Sequence, residues 1–217
     1  MASFFPNGTI FSVSTKFGAP IEVTDYSNAN PTVASITGGT ITDGDVMLIK
    51  SAWVSLNERV ARAVNASAGS VDLDGIDTTD TDIYIPGGGK GSILVVEEWV
   101  QLAQTTTVEK TGGEQQFYQW QYLEDRDSQQ RQRPTSKSPK ALNLTHDYDP
   151  DLPMYQALAD ISEKGELVVL KAVLPNKAQM LYCGYLGFDG DPSMTINENM
   201  KVTSSFSMAS KLTRYKD

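Results

Sequence analysis

The sequence predicts a mainly β fold with one packed α-helix. Short apolar runs separated by Gly, Asp and Asn turns dominate the 217 residues. Apolar and polar residues alternate from Met200 to Leu212, which is typical of a strand with one dry and one wet face. Helical spacing is clearest in Pro153–Lys164. The chain is therefore read as a set of strands joined by turns, with a single helix in the second half.

The first half predicts a series of short strands. Arg59–Val64 also fits a helical period, so a helix remains an alternative there. The stretch "DLDGIDTTDTDIYIPGGGKG", residues 72–91, is rich in turn residues and ends this part. The predicted strands are Thr9–Thr15, Ile21–Thr24, Val33–Thr37, Val46–Ile49, Val60–Val64 and Val71–Leu73.

The second half predicts longer strands around the helix. The segment Glu124–Lys140 has no apolar residue and is interpreted as an exposed loop. The predicted strands are Ile93–Val108, Phe117–Leu123, Ala141–Thr145, Leu167–Leu174, Gln179–Phe188 and, after a turn at Asp189–Pro192, the last strand from Met200 to Leu212.

Local signals define the predicted helix. Asp151 is the expected N-cap, Pro153 suits the first turn and Gly165 supplies the stop. Met154, Ala157, Leu158 and Ile161 form an apolar stripe at helical spacing. We expect this stripe to pack on the sheet.

Composition limits the possible environments and partners. The net charge of −9 disfavours tight general binding of nucleic acid, because such a surface does not neutralise phosphates. No apolar run approaches the roughly 20 residues needed to span a bilayer, and the N-terminus lacks the pattern of a signal peptide. The single cysteine, Cys183, cannot form an internal disulfide. We expect no membrane association.

Candidate catalytic groups do not form a recognisable set. The glycine-rich Gly87–Ser92 lacks the Ser or Thr after Lys90 that a phosphate-binding loop needs, and the aspartates of 72–82 miss the spacing of an EF-hand. His146 is expected at the surface, and Cys183 is expected to be a small packed residue in a strand. The sequence therefore predicts no enzyme, no cofactor and no metal site.

The order of motifs in the second half resembles that of a known family. It runs from "GGEQQFYQWQYLEDR" through a helix near "MYQAL" to a hairpin with "LPN" and "GYLGF", and then to "PSMTINENMKVTSSFSMASKLTRY". In the first half, "ITDGDVMLIKSAWVSLNERVARAV" and "VDLDGIDTTDTDIY" look like a small β module of phage virion proteins. The whole resembles the major tail tube proteins of long-tailed (siphovirus-type) bacteriophages.

The resemblance implies a β-sandwich or barrel with one helix that assembles into six-membered rings, stacked into a tube through which DNA passes. The expected partners are the chain itself and other tail proteins such as the tape measure, terminator and baseplate, and DNA is expected to slide through without specific binding. The expected location is the virion, after assembly in the host cytoplasm. The alternatives are another tail ring protein (terminator, tail-completion or baseplate hub) and a generic binding β-sandwich.

The resemblance also suggests roles for two sets of residues. The wet face of the last strand is expected to line the bore, although a solvated outer face is the alternative; its candidates are Lys201, Thr203, Ser205 and Ser207. The loop Glu124–Lys140 is expected to contact the acidic surface of the adjacent ring, at residues 72–82 or 147–151, and to be disordered before stacking. Its candidate contacts are Arg126, Arg131, Arg133, Lys137 and Lys140.

The predicted domain organisation follows from the same resemblance. Residues 1–30 and 93–217 would suffice for a minimal tail tube core. Residues 31–92 are then a small β insertion module on the outer surface.

Overall fold

The computed structural model describes residues 6–126 and 129–216, and this part of the chain contains fifteen strands and one helix. The mainly β class with one helix is therefore confirmed. The elements in chain order are β1 Ile10–Phe17, β2 Ile21–Tyr26, β3 Thr32–Thr37, β4 Val46–Ser51, β5 Val60–Val64, β6 Ser70–Leu73, β7 Gly91–Leu102, β8 Thr105–Gly112, β9 Gln115–Trp120, β10 Arg131–Lys137, β11 Lys140–Asp147, α1 Pro153–Lys164, β12 Leu167–Val173, β13 Gln179–Ser193, β14 Lys201–Met208 and β15 Thr213–Tyr215.

Six strands of the first half close into a small barrel. Their order is β2-β3-β6-β5-β4-β7, and β2 pairs back onto β7. Val60–Val64 is a strand, so the helical alternative is wrong: Ala61 and Ala63 pack in the barrel core, whereas Val60 packs on the other face of the strand. The barrel core also holds Trp53, whose ring packs edge-on against Tyr84 at 5.3 Å between centroids. The barrel draws on strands before and after 31–92, and the proposed insertion at 31–92 stays a prediction.

Seven strands form a second, curled sheet in the order β7-β1-β12-β13-β14-β11-β8. The chain passes from one edge to the other at Ala103-Gln104, where β7 ends and β8 begins. The predicted single strand Ile93–Val108 is therefore wrong. Gln104 adopts a positive φ of 52°, which interrupts the extended backbone between the two strands without the glycine or proline that marks most turns.

The helix α1 has the predicted bounds and lies in the concave side of the curled sheet. Met154, Leu158 and Ile161 are buried in one apolar cluster with strand residues such as Phe206. Gly165 ends the helix with a left-handed φ of 61°, as predicted. The N-cap prediction is wrong: the cap is Leu152, which has no side-chain oxygen, and Asp151 instead donates its backbone N–H to Asp149 in the preceding turn.

The last strand is shorter than predicted. The strand β14 ends at Met208, and the chain bends through 209–212 before β15 pairs with the start of β13. Ser210 donates its hydroxyl to the carbonyl of Glu58 at 2.7 Å, which fixes the bend against the barrel. The predicted turn at Asp189–Pro192 is also wrong, because β13 continues to Ser193.

A third apolar cluster joins the barrel to the sheet. Val46, Val60 and Val96 of the barrel pack against Val169 and Cys183 of the sheet. β15 adds polar contacts: the hydroxyl of Tyr215 accepts the backbone N–H of Arg62 and donates to the carbonyl of Asp74. Within the described residues, no helix is long and apolar enough to cross a membrane.

Candidate functional surfaces

The wet face of β14 belongs to a wider polar surface. Residues directly opposite each other in paired strands point to the same face of a sheet. Ser205 is opposite Gly187 of β13 on one side and Asn143 of β11 on the other. Its hydroxyl donates to the Asn143 side-chain oxygen at 3.1 Å. We call this surface the polar face; its members are Thr107, Glu109, Thr111, Ala141, Asn143, Thr145, Tyr185, Gly187, Asp189, Thr203, Ser205 and Ser207.

The predicted bore residues occupy this face in part. Thr203, Ser205 and Ser207 are exposed, whereas Lys201 is half-buried at the end of the strand, opposite Asp147. The alternation of β14 is therefore confirmed from Lys201 to Met208, and whether its wet face lines a bore stays a prediction.

The chemistry of the face changes where the barrel stops covering it. On β13, Cys183 lies on the same face as Tyr185 and Gly187, but it is covered by the barrel and buried. Burial raises the pKa of the Cys183 thiol to about 12, so it is an inert packing residue, as the sequence indicates. Beyond the barrel the same face carries small hydroxyl and amide side chains together with Tyr185, Glu109 and Asp189. The polar face is thus the part of the sheet that intramolecular packing leaves open.

The opposite face of the same strands is buried and holds a polar network. His146 is fully buried, so its predicted surface position is wrong. Its Nδ1 lies 3.0 Å from the Thr105 hydroxyl and its Nε2 lies 3.0 Å from the Ser204 hydroxyl. Burial lowers the pKa of His146, against a smaller opposite effect of a hydrogen bond with the Ala103 backbone. The ring is held by two hydroxyl groups, and this network explains why Ser204 occupies a dry position of β14.

The segment predicted to be a loop contains a strand. Arg131–Lys137 pairs with β9 to form a two-stranded sheet that is separate from the main one. We call residues 115–137 the arm. The prediction of a disordered loop over Glu124–Lys140 is therefore wrong at β10 and at Lys140, which begins β11; residues 127 and 128 lie outside the described part. Every residue of β10 is exposed, so its sequence shows no alternation of apolar and polar residues.

The arm presents aromatic and basic side chains together. Arg131 is opposite Trp120 and Arg133 is opposite Tyr118, and the two aromatic rings stack at 6.1 Å between centroids. The guanidinium of Arg131 lies 3.5 Å from Asp125 and also lies over the ring of Tyr122. Arg126 lies near the tip, Lys137 ends β10 and Lys140 begins the next strand. Several large apolar side chains of the arm are exposed: Phe117, Tyr118, Tyr122 and Leu123.

The remaining candidates form no catalytic group. In the described part of the chain, no three His, Cys, Asp or Glu residues are placed to hold a metal ion. The Asp77 carboxylate accepts the backbone N–H and hydroxyl of Thr79, which lowers its pKa and stabilises the local turn. Gly89 packs against the ring of Trp53, which gives the glycine-rich stretch a structural role.

Comparison with known proteins identifies the chain. The model of the phage tail tube protein family matches residues 51–217. The chain belongs to this family. It is therefore a structural protein of the phage tail and a component of the virion. The match covers the helix, the arm and every strand of the curled sheet except β1, together with part of the barrel.

Solved structures similar to the tail tube protein come from gene transfer agent (GTA) particles. A chain of the virion of the native GTA particle is 11% identical, covers 54% of this chain and 88% of its own length, and has a TM-score of 0.40. A chain of the tail of the empty GTA particle, computed with helical refinement and C6 symmetry, is 10% identical, covers 55% and 87%, and has a TM-score of 0.41. No curated protein matches the chain. The identification rests on the family match.

Proposed function

We propose that the tail tube protein assembles into hexameric rings that stack into the tail tube of a long-tailed (siphovirus-type) bacteriophage, and that DNA passes through the bore during infection. The polar face carries this proposal. The family membership indicates that the subunit forms part of a tube. The surfaces described above support an assignment of roles within that tube.

The polar face has the chemistry that a DNA channel needs. Small hydroxyl groups such as those of Ser205 and Ser207 offer weak contacts that do not depend on base sequence. Charged members of the face and its border include Glu109 and Asp189, which repel phosphates, and the net charge of the whole chain is −9. A bore lined in this way keeps DNA hydrated and mobile, because it provides few cations for phosphates to bind.

The edge of the curled sheet supports ring formation. β8 lies at the end of the strand order, and in the described part of the chain no strand pairs with its outer edge. All its residues from Thr106 onward are exposed. An open edge favours pairing with another chain, and a closed ring of subunits removes such edges by pairing them. We assign this edge to the contact between neighbours in a ring.

The arm supports contact between rings. A two-stranded sheet is marginal on its own in water, and exposed aromatic rings are stabilised when a partner covers them. The five candidates Arg126, Arg131, Arg133, Lys137 and Lys140 give the arm and its base a positive charge on an acidic protein. We propose that the arm packs on the adjacent ring, and that tape measure, terminator and baseplate proteins bind the tube at its inside and its ends. Assembly takes place in the host cytoplasm, and the subunit performs no catalysis.

Arginine substitutions test the role of the polar face. Ser205→Arg and Ser207→Arg place cations on exposed positions and leave the apolar core unchanged. If the face lines the bore, the variant still forms tubes, and these tubes retain added DNA in a manner that high salt reverses. The matched control is Ser35→Arg with Ser55→Arg, at exposed positions of the barrel. Equal DNA retention by variant, control and wild type would contradict the assignment.

A further inference from the structure

A basic groove lies at the base of the arm. It has a volume of about 410 Å³ and an apolar floor that includes Leu142, Met208 and Leu212. Its rim carries four exposed cationic side chains from three strands and the bend before β15. These are Lys110, Lys140, Lys211 and Arg214.

Within the described residues, the rim charges have no carboxylate partner. The lining contains no Asp or Glu, and among the described residues no ion pair involves any of the four cations. On a chain with a net charge of −9, four cations in one groove are a local reversal of charge. Such a groove favours an anionic occupant with an apolar portion.

The opposite end of the same sheet is acidic. The strand β11 starts at Lys140, beside the groove, and ends at Asp147, which places the two ends about 23 Å apart at 3.3 Å per residue. The far end carries five aspartates in all. We call Asp147, Asp149, Asp151, Asp189 and Asp191 the acidic end.

These aspartates converge on a small area. Asp147 and Asp149 border one surface cleft with Tyr148. The ring of Tyr148 packs against that of Tyr155, and the charges of Asp189 and Asp191 help to raise the Tyr155 pKa, after the larger effect of burial. Asp149 accepts the backbone N–H of Asp151 at 3.2 Å, which folds Asp149-Pro150-Asp151 into a compact turn. The turn offers carboxylates on both sides of an exposed proline.

We propose that the basic groove of one subunit binds the acidic end of a second copy of this chain. The carboxylates of the acidic end face Lys140 and Lys211 at the rim, and Pro150 contacts the apolar floor. Because the two surfaces lie at opposite ends of one sheet, the contact is head-to-tail and can repeat without closing. The inference rests on the proposed function and identifies the surfaces that stack one ring on the next.

The groove is less suited to DNA than to another subunit. It lies at the end of the strands and not on the polar face, and an approaching DNA strand would meet a subunit of net charge −9. The arm leaves the sheet beside the groove, because Ser138 and Pro139 belong to the lining. One subunit surface therefore carries both the arm and a pocket for the neighbour's acidic end.

Charge reversal on each side tests the proposal. The groove variant is Lys140→Glu with Lys211→Glu, and the acidic-end variant is Asp151→Lys with Asp191→Lys; all four side chains are exposed. We expect each variant alone to lose tube formation by electron microscopy while its melting temperature stays within a few degrees of wild type. We expect an equal mixture of the two variants to recover tubes, because each reversed surface then meets a reversed partner. The control Lys90→Glu with Lys164→Glu makes the same change of net charge outside the groove and should assemble.

A crosslinking experiment gives a second, direct readout. In Lys211→Cys with Asp151→Cys, oxidation should give a ladder of disulfide-linked multimers, whereas each single variant should give no species above a dimer. If wild type forms tubes, the inference is overturned when the groove variant assembles normally or when no ladder appears. The proposed function would stand in either case. A ladder without tubes would support the contact and contradict the function, and absence of both would contradict both. Loss of DNA retention by the groove variant with normal tubes would reassign the groove to DNA.

Discussion

Leu158→Ala tests whether the helix is part of the core. Leu158 is in the middle of α1, has none of its surface exposed, and packs in the cluster that fills the concave side of the curled sheet. Residues of well-separated strands of the sheet, including Val13 of β1 and Phe206 of β14, belong to the same cluster. The helix therefore holds together strands that are far apart in the sequence, and a loss of packing at its centre affects the whole sheet.

The expected cost combines two contributions. Leu→Ala removes the equivalent of two to three methylene groups, and at about 0.8 kcal/mol each the lost transfer free energy is about 2 kcal/mol. A cavity term is added because the surrounding strands are held by their own pairings and relax only in part, which brings the total to about 3 kcal/mol within the usual range of about 2–5. For a chain of this size, about 3 kcal/mol lowers the melting temperature by about 6–12 °C.

Thermal unfolding followed by circular dichroism measures this effect. Glu163→Ala is the matched control, because it lies on the same helix, is exposed, and changes helix propensity only slightly. We expect the control to melt within about 1–2 °C of wild type, as surface substitutions usually do. A Leu158→Ala protein that melts with the control would show that α1 is peripheral and would refute the packing described here.

Three further predictions follow from the site. The free energy of unfolding of wild type should decrease as the pH falls below about 6.5, because the pKa of His146 is lowered in the folded state and the unfolded state binds the proton more readily. Urea titrations of His146→Gln at different pH values should lack this part of the pH dependence. An unchanged pH dependence would assign it to other groups. Cys183 should resist iodoacetamide in the native protein at pH 8 and react in urea, because burial raises the pKa of its thiol to about 12. Mass spectrometry measures the labelling. Rapid labelling of the native state would contradict the burial of Cys183. Replacement of arm residues 116–136 by a short Gly-Ser linker should leave a folded subunit, because no described residue of the arm belongs to the three apolar clusters. The same replacement should abolish long tubes. Tubes of normal length would show that the arm is not part of the stacking contact.

The helix could be predicted from sequence because several local signals agree. The apolar stripe, Pro153 at the start and Gly165 at the end each depend on residues within a few turns of one another. The N-cap prediction was wrong although Asp151 has a capping side chain. Its backbone is engaged by Asp149, and the helix starts one residue later than a capping role for Asp151 requires. The detailed cap depends on a turn that composition alone does not define.

Strand ends were predicted less well for a physical reason. Alternation reports which side chains are covered, and it continues through a bend when the chain on both sides of the bend is half-buried. Residues 209–212 keep the pattern of β14 although they no longer pair with β13 in the same register. The division between β7 and β8 was missed similarly, because Ala103-Gln104 contains no common turn residue.

Polar strands and buried polar residues were the hardest to predict. β10 is exposed on both faces, so its sequence shows no alternation, and its pairing depends on β9 alone. His146 was expected at the surface because its partners, Thr105 and Ser204, are distant in sequence. The polar face was found only at β14. Its continuation on β11 and β8 could have been found from the alternating Thr107 and Glu109, once β8 is recognised as a separate strand.

Cryo-electron microscopy of the purified tail tube protein, concentrated until it assembles, tests the central claim most directly. The account predicts stacked sixfold rings around an open bore, with the side chains of Thr203, Ser205 and Ser207 facing the bore. Single rings that do not stack, or tubes that carry these side chains on their outer wall, would contradict it.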